Sequence, residues 1–285
     1  MSISKLRREY HLNICRQIIS LHKDGNKEYL NFADKASIAS QAIARGIINQ
    51  IGFTPVQTTL SGQTAGGLFE LITRNFLENS FSLLHHLRPG KWFYSTKSSI
   101  SDFDQYGHLE SIGKIVENNS ELASALGTDY IITPDIVIAR HPVPDKEINR
   151  NQIIVSSTDS FPRLTPFRKD NLENPLPILH ASISCKWTLR SDRGQNARTE
   201  ALNLIRNRKG RLPHIVSVTA EPLPTRISSL ALGTGDLYCV YHFALPELIK
   251  AIEEIKNEDQ LDMLMILING RRLRDISDLP FDLAI

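Results

Sequence analysis

The chain has 285 residues, of which 41% are hydrophobic and 22% charged, and a net charge of +2, the balance of a soluble globular protein rather than a disordered or fibrous one. At this length roughly 75% of the extended surface can be buried, so a core needs neither disulfides nor a structural metal. Cys15, Cys185 and Cys239 form no CxxC pair or zinc-type cluster, which points to a reducing cytoplasm. The longest apolar run, Met263 to Ile268, is too short for a bilayer, and the charged N-terminus lacks a signal-peptide segment, so membrane and secretory classes are excluded.

Taken in chain order, the first third reads as helical. Leu6, Ile14, Ile18, Ile19 and Leu21 mark a first amphipathic helix. A second carries Ile38, Ile43, Ile47 and Ile51, capped by Asp34 and stopped near Gly52. After the glycine-rich stretch SGQTAGG, read as a turn, a third helix is expected from about Leu68 to Leu87, with Glu70 in its first turn. A fourth spans roughly Gln105 to Leu126.

From Tyr130 the period becomes that of strands: YIITPDIVIAR, ILHASISCKW, HIVSVTAE and LYCVYHFA. A helix from about Asp192 to Arg208 separates the second from the third, and segments near Pro246–Ile255 and Leu261–Ile268 are helical. The expected fold is α/β, a central sheet with helices on it and a helical N-terminal third. Residues 142–177 hold six prolines and read as a long excursion from the core.

Net charge hides a local imbalance. Residues 186–211 carry eight Lys or Arg against Asp192 and Glu200, so this stretch is +6 and the rest of the chain −4. Such a concentration attracts phosphate, although a basic run near a helix C-terminus is also ordinary dipole compensation.

Alternation over ASISCKW places Ser182, Ser184 and Lys186 on one strand face and Ala181, Ile183 and Cys185 on the other. Asp135 stands just after Pro134 at the start of another apolar strand. On adjacent strands Asp135 and Lys186 either form an ion pair or share a divalent cation and a water. Phosphodiester hydrolysis needs both a metal to polarise the phosphoryl group and a lysine to position or deprotonate the attacking water. A second carboxylate is normally wanted, and Ser184 cannot supply it. Glu200, on the following helix, is placed to return one, and Glu70 is a further acidic contributor or simply a helix-dipole partner. Arg190, Asp192 and Arg193 cluster at a helix start, where cations are disfavoured. They either form a salt-bridge network or read G·C pairs, since arginine matches guanine O6 and N7 and aspartate accepts from cytosine N4.

These segments resemble type II restriction endonucleases of the NgoMIV family, in the PD-(D/E)XK nuclease superfamily. The resemblance is carried by HASISCKWTLRSDRGQNARTEALNLIRNRKGRLPHIV, LSGQTAGGLFE, LGTDYIITPDIV, AEPLPTRISSLALGTG, CVYHFAL and RDISDLPFDLA. It covers nearly the whole chain and fades in the first thirty residues and in the proline-rich excursion. It implies a restriction-endonuclease-like core, a central mixed β-sheet flanked by α-helices, as one domain over 1–285. Within it, 1–128 would be mainly helical, 129–245 the catalytic sheet and recognition helix, 142–177 an oligomerisation excursion and 246–285 C-terminal helices.

By the same resemblance Asp135 and the main-chain carbonyl of Cys185 bind Mg2+, Lys186 orients the water, and Ser184, Glu200 and Glu70 complete the shell. Arg190, Asp192 and Arg193 read the inner CCGG in the major groove, Gln63 approaches the central pairs from the minor groove, and Arg226 reads the outer G·C pair. The family's target is GCCGGC, cut after the first G, and its assembly is a tetramer made of two dimers on double-stranded DNA. The stretch Ala33 to Ser37, ADKAS, departs from the family pattern near another outer-base contact. A DNA-binding protein that does not cut is the competing class, and retention of Asp135, Lys186 and Glu200 together argues against it. A junction nuclease would leave the Arg/Asp cluster without a use. No P-loop is present, so no nucleotide cofactor is expected.

Overall fold

The computed structural model describes residues 1–25, 27–55, 60–126, 131–189, 191–233 and 235–285. The helical first third contains α1 (Ile3–Gln17), a β1–β2 hairpin (Leu21–Asp24 and Lys27–Leu30), α2 (Ile38–Ile51) and α3 (Gly62–Ser82). Ile18 and Ile19 are buried as expected, but α1 stops before them and Leu21 starts the hairpin. The N-cap of α2 is Ser37, whose side chain accepts from the Ser40 N–H, and not Asp34. Asp34 instead accepts from the Ala36 N–H at 2.9 Å. Gly52 ends α2 at φ 77°, a conformation that favours glycine.

The stretch SGQTAGG is not a turn. Ser61 caps α3 by accepting from the Thr64 N–H at 3.1 Å, and the helix runs through all three glycines. A cap worth about 1 kcal/mol offsets only part of a propensity cost of about 1 kcal/mol per glycine, and the packed apolar face from Ala65 to Phe81 supplies the rest. Glu70 therefore sits in the third turn and not the first. The expected fourth helix is two, α4 (His108–Glu117) and α5 (Ser120–Leu126).

Six strands form the main sheet: β3 (Trp92–Ser95), β4 (Ile136–Arg140), β5 (Ile178–Lys186), β6 (His214–Thr219), β7 (Cys239–His242) and β8 (Leu273–Asp275). They lie in the order β3-β4-β5-β6-β7-β8, antiparallel from β3 to β5 and parallel from β5 to β8. The sheet is thus mixed, as expected, with two short edge strands that the sequence pattern did not mark. The remaining helices are α6 (Asp145–Ile148), α7 (Ser191–Asn207), α8 (Pro224–Ala231), α9 (Leu245–Ile255), α10 (Glu258–Asn269) and α11 (Leu279–Asp282).

β5 is covered on both faces. Ser182 and Ser184 are buried, as Ala181 and Ile183 are, so the expected polar face is not a solvent face; helices on a mixed sheet enclose both sides. Where β5 slips its register against β4, between Ile138 and Ala139, the Gln105 side chain takes the place of a strand. It donates to the Leu179 carbonyl (2.7 Å) and accepts from the Leu179 N–H (2.9 Å), which satisfies a backbone unit that β6 does not reach.

α2 packs on α9 so closely that a Cβ at Gly46 would meet the Ala251 Cβ at 2.6 Å. Phe32, Phe69 and Phe243 surround Trp187, with ring centroids 5.2 to 6.3 Å from it, and fix the chain as it leaves β5. The three cysteines are free and buried. Among the described residues no helix is long and apolar enough to cross a membrane.

Candidate active site

β4 and β5 are antiparallel neighbours with Ile136 opposite Ile183, so continuing that register puts Asp135 beside the C-terminal end of β5. The Asp135 Oδ2 accepts from the Cys185 N–H at 2.7 Å and from the Lys186 Nζ at 3.0 Å. The backbone bond fixes the carboxylate, and the carboxylate fixes the ammonium. Both side chains keep a window to solvent, 23% for Asp135 and 14% for Lys186, which a substrate-facing pair requires.

Two more acids converge on this pair. Burial pushes the Glu70 carboxyl up to about 7, with the Asp135 charge adding and the Lys186 charge opposing. Burial also raises Glu200, against Lys186 and with Asp135. For Lys186, burial works against the charged form, but Asp135 and Glu200 outweigh it and hold the ammonium above its ordinary range. Three carboxylates thus stand around one lysine, and burial, more than their mutual repulsion, is what raises Glu70 and Glu200. Burial, with the Asp135 and Glu70 charges adding, drives the Cys185 thiol far above its usual range, so its side chain is inert. The Ser184 Oγ is buried with no hydrogen-bond partner.

The arrangement has room for a divalent cation without a preformed side-chain cage. Among the described residues no group of three His, Cys, Asp or Glu side chains is spaced to hold a metal alone. Mg2+ suits a sparser set, because it keeps several waters and binds through one or two carboxylates together with substrate phosphate. Asp135 and the Cys185 carbonyl would be the donors of such a set, beside the carboxyls of Glu70 and Glu200.

A cleft of about 830 Å³, lined among others by Asp34, Gly62, Trp187, Leu189, Arg198 and Arg226, adjoins the acidic cluster through Trp187. Gln63 is exposed in the first turn of α3. Arg226, on α8, is ion-paired with Asp34. Arg190 lies outside the described residues, and of Asp192 and Arg193 the backbone alone is described, in the first turn of α7. A larger cavity, about 1170 Å³, opens beside Lys91, Trp92, Arg140, Phe167 and Lys169, at the opposite end of β4 from Asp135. It holds none of the candidate residues.

Two acids carry no functional signal in the local sequence: Asp34 of the cleft, which reads as a helix cap, and Glu221, which is buried and not part of the cleft lining. The one available signal for Glu221 is its place between an apolar strand and the prolines of AEPLP.

A profile of the family described as NgoMIV restriction enzyme matches residues 10–285. The type II restriction enzyme NgoMIV of Neisseria gonorrhoeae is 50% identical to the chain over 265 residues, which cover 91% of each sequence.

Proposed function

Because the chain belongs to the NgoMIV restriction enzyme family and is a type II site-specific deoxyribonuclease, we propose that it cuts double-stranded DNA at GCCGGC, after the first G. The proposal includes Mg2+ as cofactor and two dimers joined as a tetramer, with the whole chain acting as one endonuclease domain. The observation that carries it is the Asp135–Lys186 pair, locked by the Cys185 N–H, with Glu70 and Glu200 beside it.

A bound Mg2+ polarises the scissile phosphate and lowers the pKa of the attacking water. Asp135 and the Cys185 carbonyl would hold it. As an ammonium Lys186 has three donors and no acceptor, so it orients the water and meets the negative charge that develops on the phosphoryl oxygens. Glu200 supplies the carboxylate that Ser184 lacks, and Glu70 closes the shell from α3. Trp187, packed against three phenylalanines, keeps the end of β5 from shifting under these charges.

Base reading falls to the start of α7. Arg190 and Arg193 match guanine and Asp192 matches cytosine, Gln63 approaches the central pairs from α3, and Arg226 reads the outer pair. Assembly falls to the excursion, where Ile153, Phe161 and Leu164 are 87%, 81% and 98% exposed. Apolar side chains so exposed within one segment fit a surface that is covered on assembly, and a second pair of subunits would supply the cover.

The test is digestion of methyl-free plasmid DNA with magnesium, followed by sequencing of fragment ends. Ends at GCCGGC are expected. Ends without CCGG, or full cutting in excess EDTA, reject the reading, whereas CCGG ends with any outer pair reject only the Arg226 assignment.

A further inference from the structure

Glu221 is a buried group that this reaction does not use, and its partners lie on the two segments assigned to base reading. β6 ends at Thr219, whose Oγ1 accepts from the Glu221 N–H at 3.1 Å. The Ala220 N–H reaches the Lys186 carbonyl at 3.3 Å. These bonds lay the 219–221 segment alongside the chain that leaves β5. The Glu221 side chain then turns inward and is 1% exposed.

Its two oxygens go to different segments. Oε2 accepts from the Leu189 N–H at 2.9 Å, and Oε1 accepts from the Leu223 N–H at 3.2 Å. Leu189 directly precedes residues 190–193. Leu223 is the N-cap residue of α8, and its carbonyl accepts from the Arg226 N–H at 2.9 Å. The Arg226 guanidinium lies 3.9 Å from Glu221 Oε1 and pairs on its other side with Asp34. A carboxylate in so dry a place is tolerated only when its lone pairs are filled, and they are filled here by the two segments that face the cleft.

We propose that Glu221 is a positioning residue for base recognition, which fixes the spacing between the 190–193 segment and Arg226 so that the inner and outer parts of the target are read as one unit. The inference rests on the assignment of those two segments to base contacts. A bidentate arginine–guanine contact depends on distance and direction, so a small shift of either segment against the other loses discrimination at the outer pair first, where one arginine is assigned against the cluster of three residues at the inner pairs.

The experiment compares kcat/KM on a GCCGGC duplex with kcat/KM on ACCGGT, for the full chain and two variants. Glu221→Gln keeps the size and one acceptor but turns an NH2 group toward one of the two amides. Glu221→Asp keeps the charge but, a methylene shorter, reaches only one amide. The preference for GCCGGC is expected to fall about tenfold in E221Q, and to an intermediate value in E221D. A carboxylate that only stabilises the fold lowers both substrates together and leaves the ratio at its wild-type value, and that result in either folded variant overturns the proposal. The wild-type ratio separates the two ways of failing. If wild type does not distinguish the duplexes, the base assignment falls and Glu221 with it; if it does and the variants match it, the role of Glu221 alone falls.

Discussion

If Lys186 acts on water and Arg193 on bases, as proposed, substitution separates them. Lys186→Ala is expected to lower single-turnover cutting by about 100-fold or more while specific binding in calcium is retained. Arg193→Ala is expected to weaken specific binding by about 1–3 kcal/mol and to leave the salt-dependent, non-specific component nearly unchanged. A gel-shift series on both variants decides this, and equal losses of specific affinity contradict it. Asp135 and Lys186 were legible because each sits at the end of an apolar strand, where a charge has no packing reason. The Asp34–Arg226 pair and the Glu221–Leu189 contact are not legible, because their partners come from segments remote in sequence, and no local spacing encodes a meeting between residues 34 and 226. For the same reason Gln105 read as a helix start, when it is a side-chain substitute for a strand.

His180, at the far end of β5 from Lys186, shows how an element ties stability to pH. Burial, together with the positive surroundings of His214, Arg88 and Arg211, lowers its pKa to about 3, against the Leu283 carbonyl, which raises it. The unfolded chain takes up this proton below about 6.5 and the folded chain does not until about 3, so the group removes stability as pH falls through 6.5. At pH 5.5 the loss is about 1.4 kcal/mol relative to pH 7.5. His180→Gln, which keeps a donor for the Leu283 carbonyl, is expected to shrink the difference between urea unfolding at the two pH values by that amount; an unchanged difference would refute the assignment. The α2–α9 crossing gives a second test. Gly46→Ala gains about 1 kcal/mol of helix propensity but drives a Cβ against the Ala251 Cβ, which cannot swing aside. Overpacking of this kind costs about 1–3 kcal/mol, so a net drop in Tm is expected, and a rise would show that the helices separate freely. Helices with a full apolar stripe were legible from their period. The start of α3 was misread because its glycines resemble a turn, and β3 and β8 were missed because four and three residues are too few to display a period of two.

Across the whole molecule, the proline-rich excursion is ordered by one arginine. Arg168, 2% exposed, donates through Nε and Nη2 to Asp145 at 2.6 Å each, and also to the Ser156 and Pro162 carbonyls. It gathers three turns of the excursion around one guanidinium and leaves Ile153, Phe161 and Leu164 facing outward. If two dimers pair through this surface, a two-site plasmid is cut faster than a one-site plasmid, and a short specific duplex stimulates cutting of the latter. Arg168→Ala is then expected to make the excursion protease-sensitive and to give a dimer by light scattering, with the site residues untouched. A wild-type dimer that cuts both plasmids at equal rates rejects the tetramer without touching the chemistry. Composition alone identified residues 142–177 as an excursion; its internal clamp was hidden, since a buried arginine and an exposed one look alike in a sequence.

β4 and β5 form a hairpin whose open end carries Asp135 and Lys186 and whose closed end is the excursion. About five residues of strand, or roughly 17 Å, separate the reaction from the loop that joins the two strands. Length and sequence can therefore change at the closed end without altering the distance between the two charged groups at the open end. If the excursion carries the contact between dimers, quaternary structure can diverge within such a lineage while the hydrolytic step is inherited unchanged, and changes at the tip of this hairpin alter assembly before they alter chemistry.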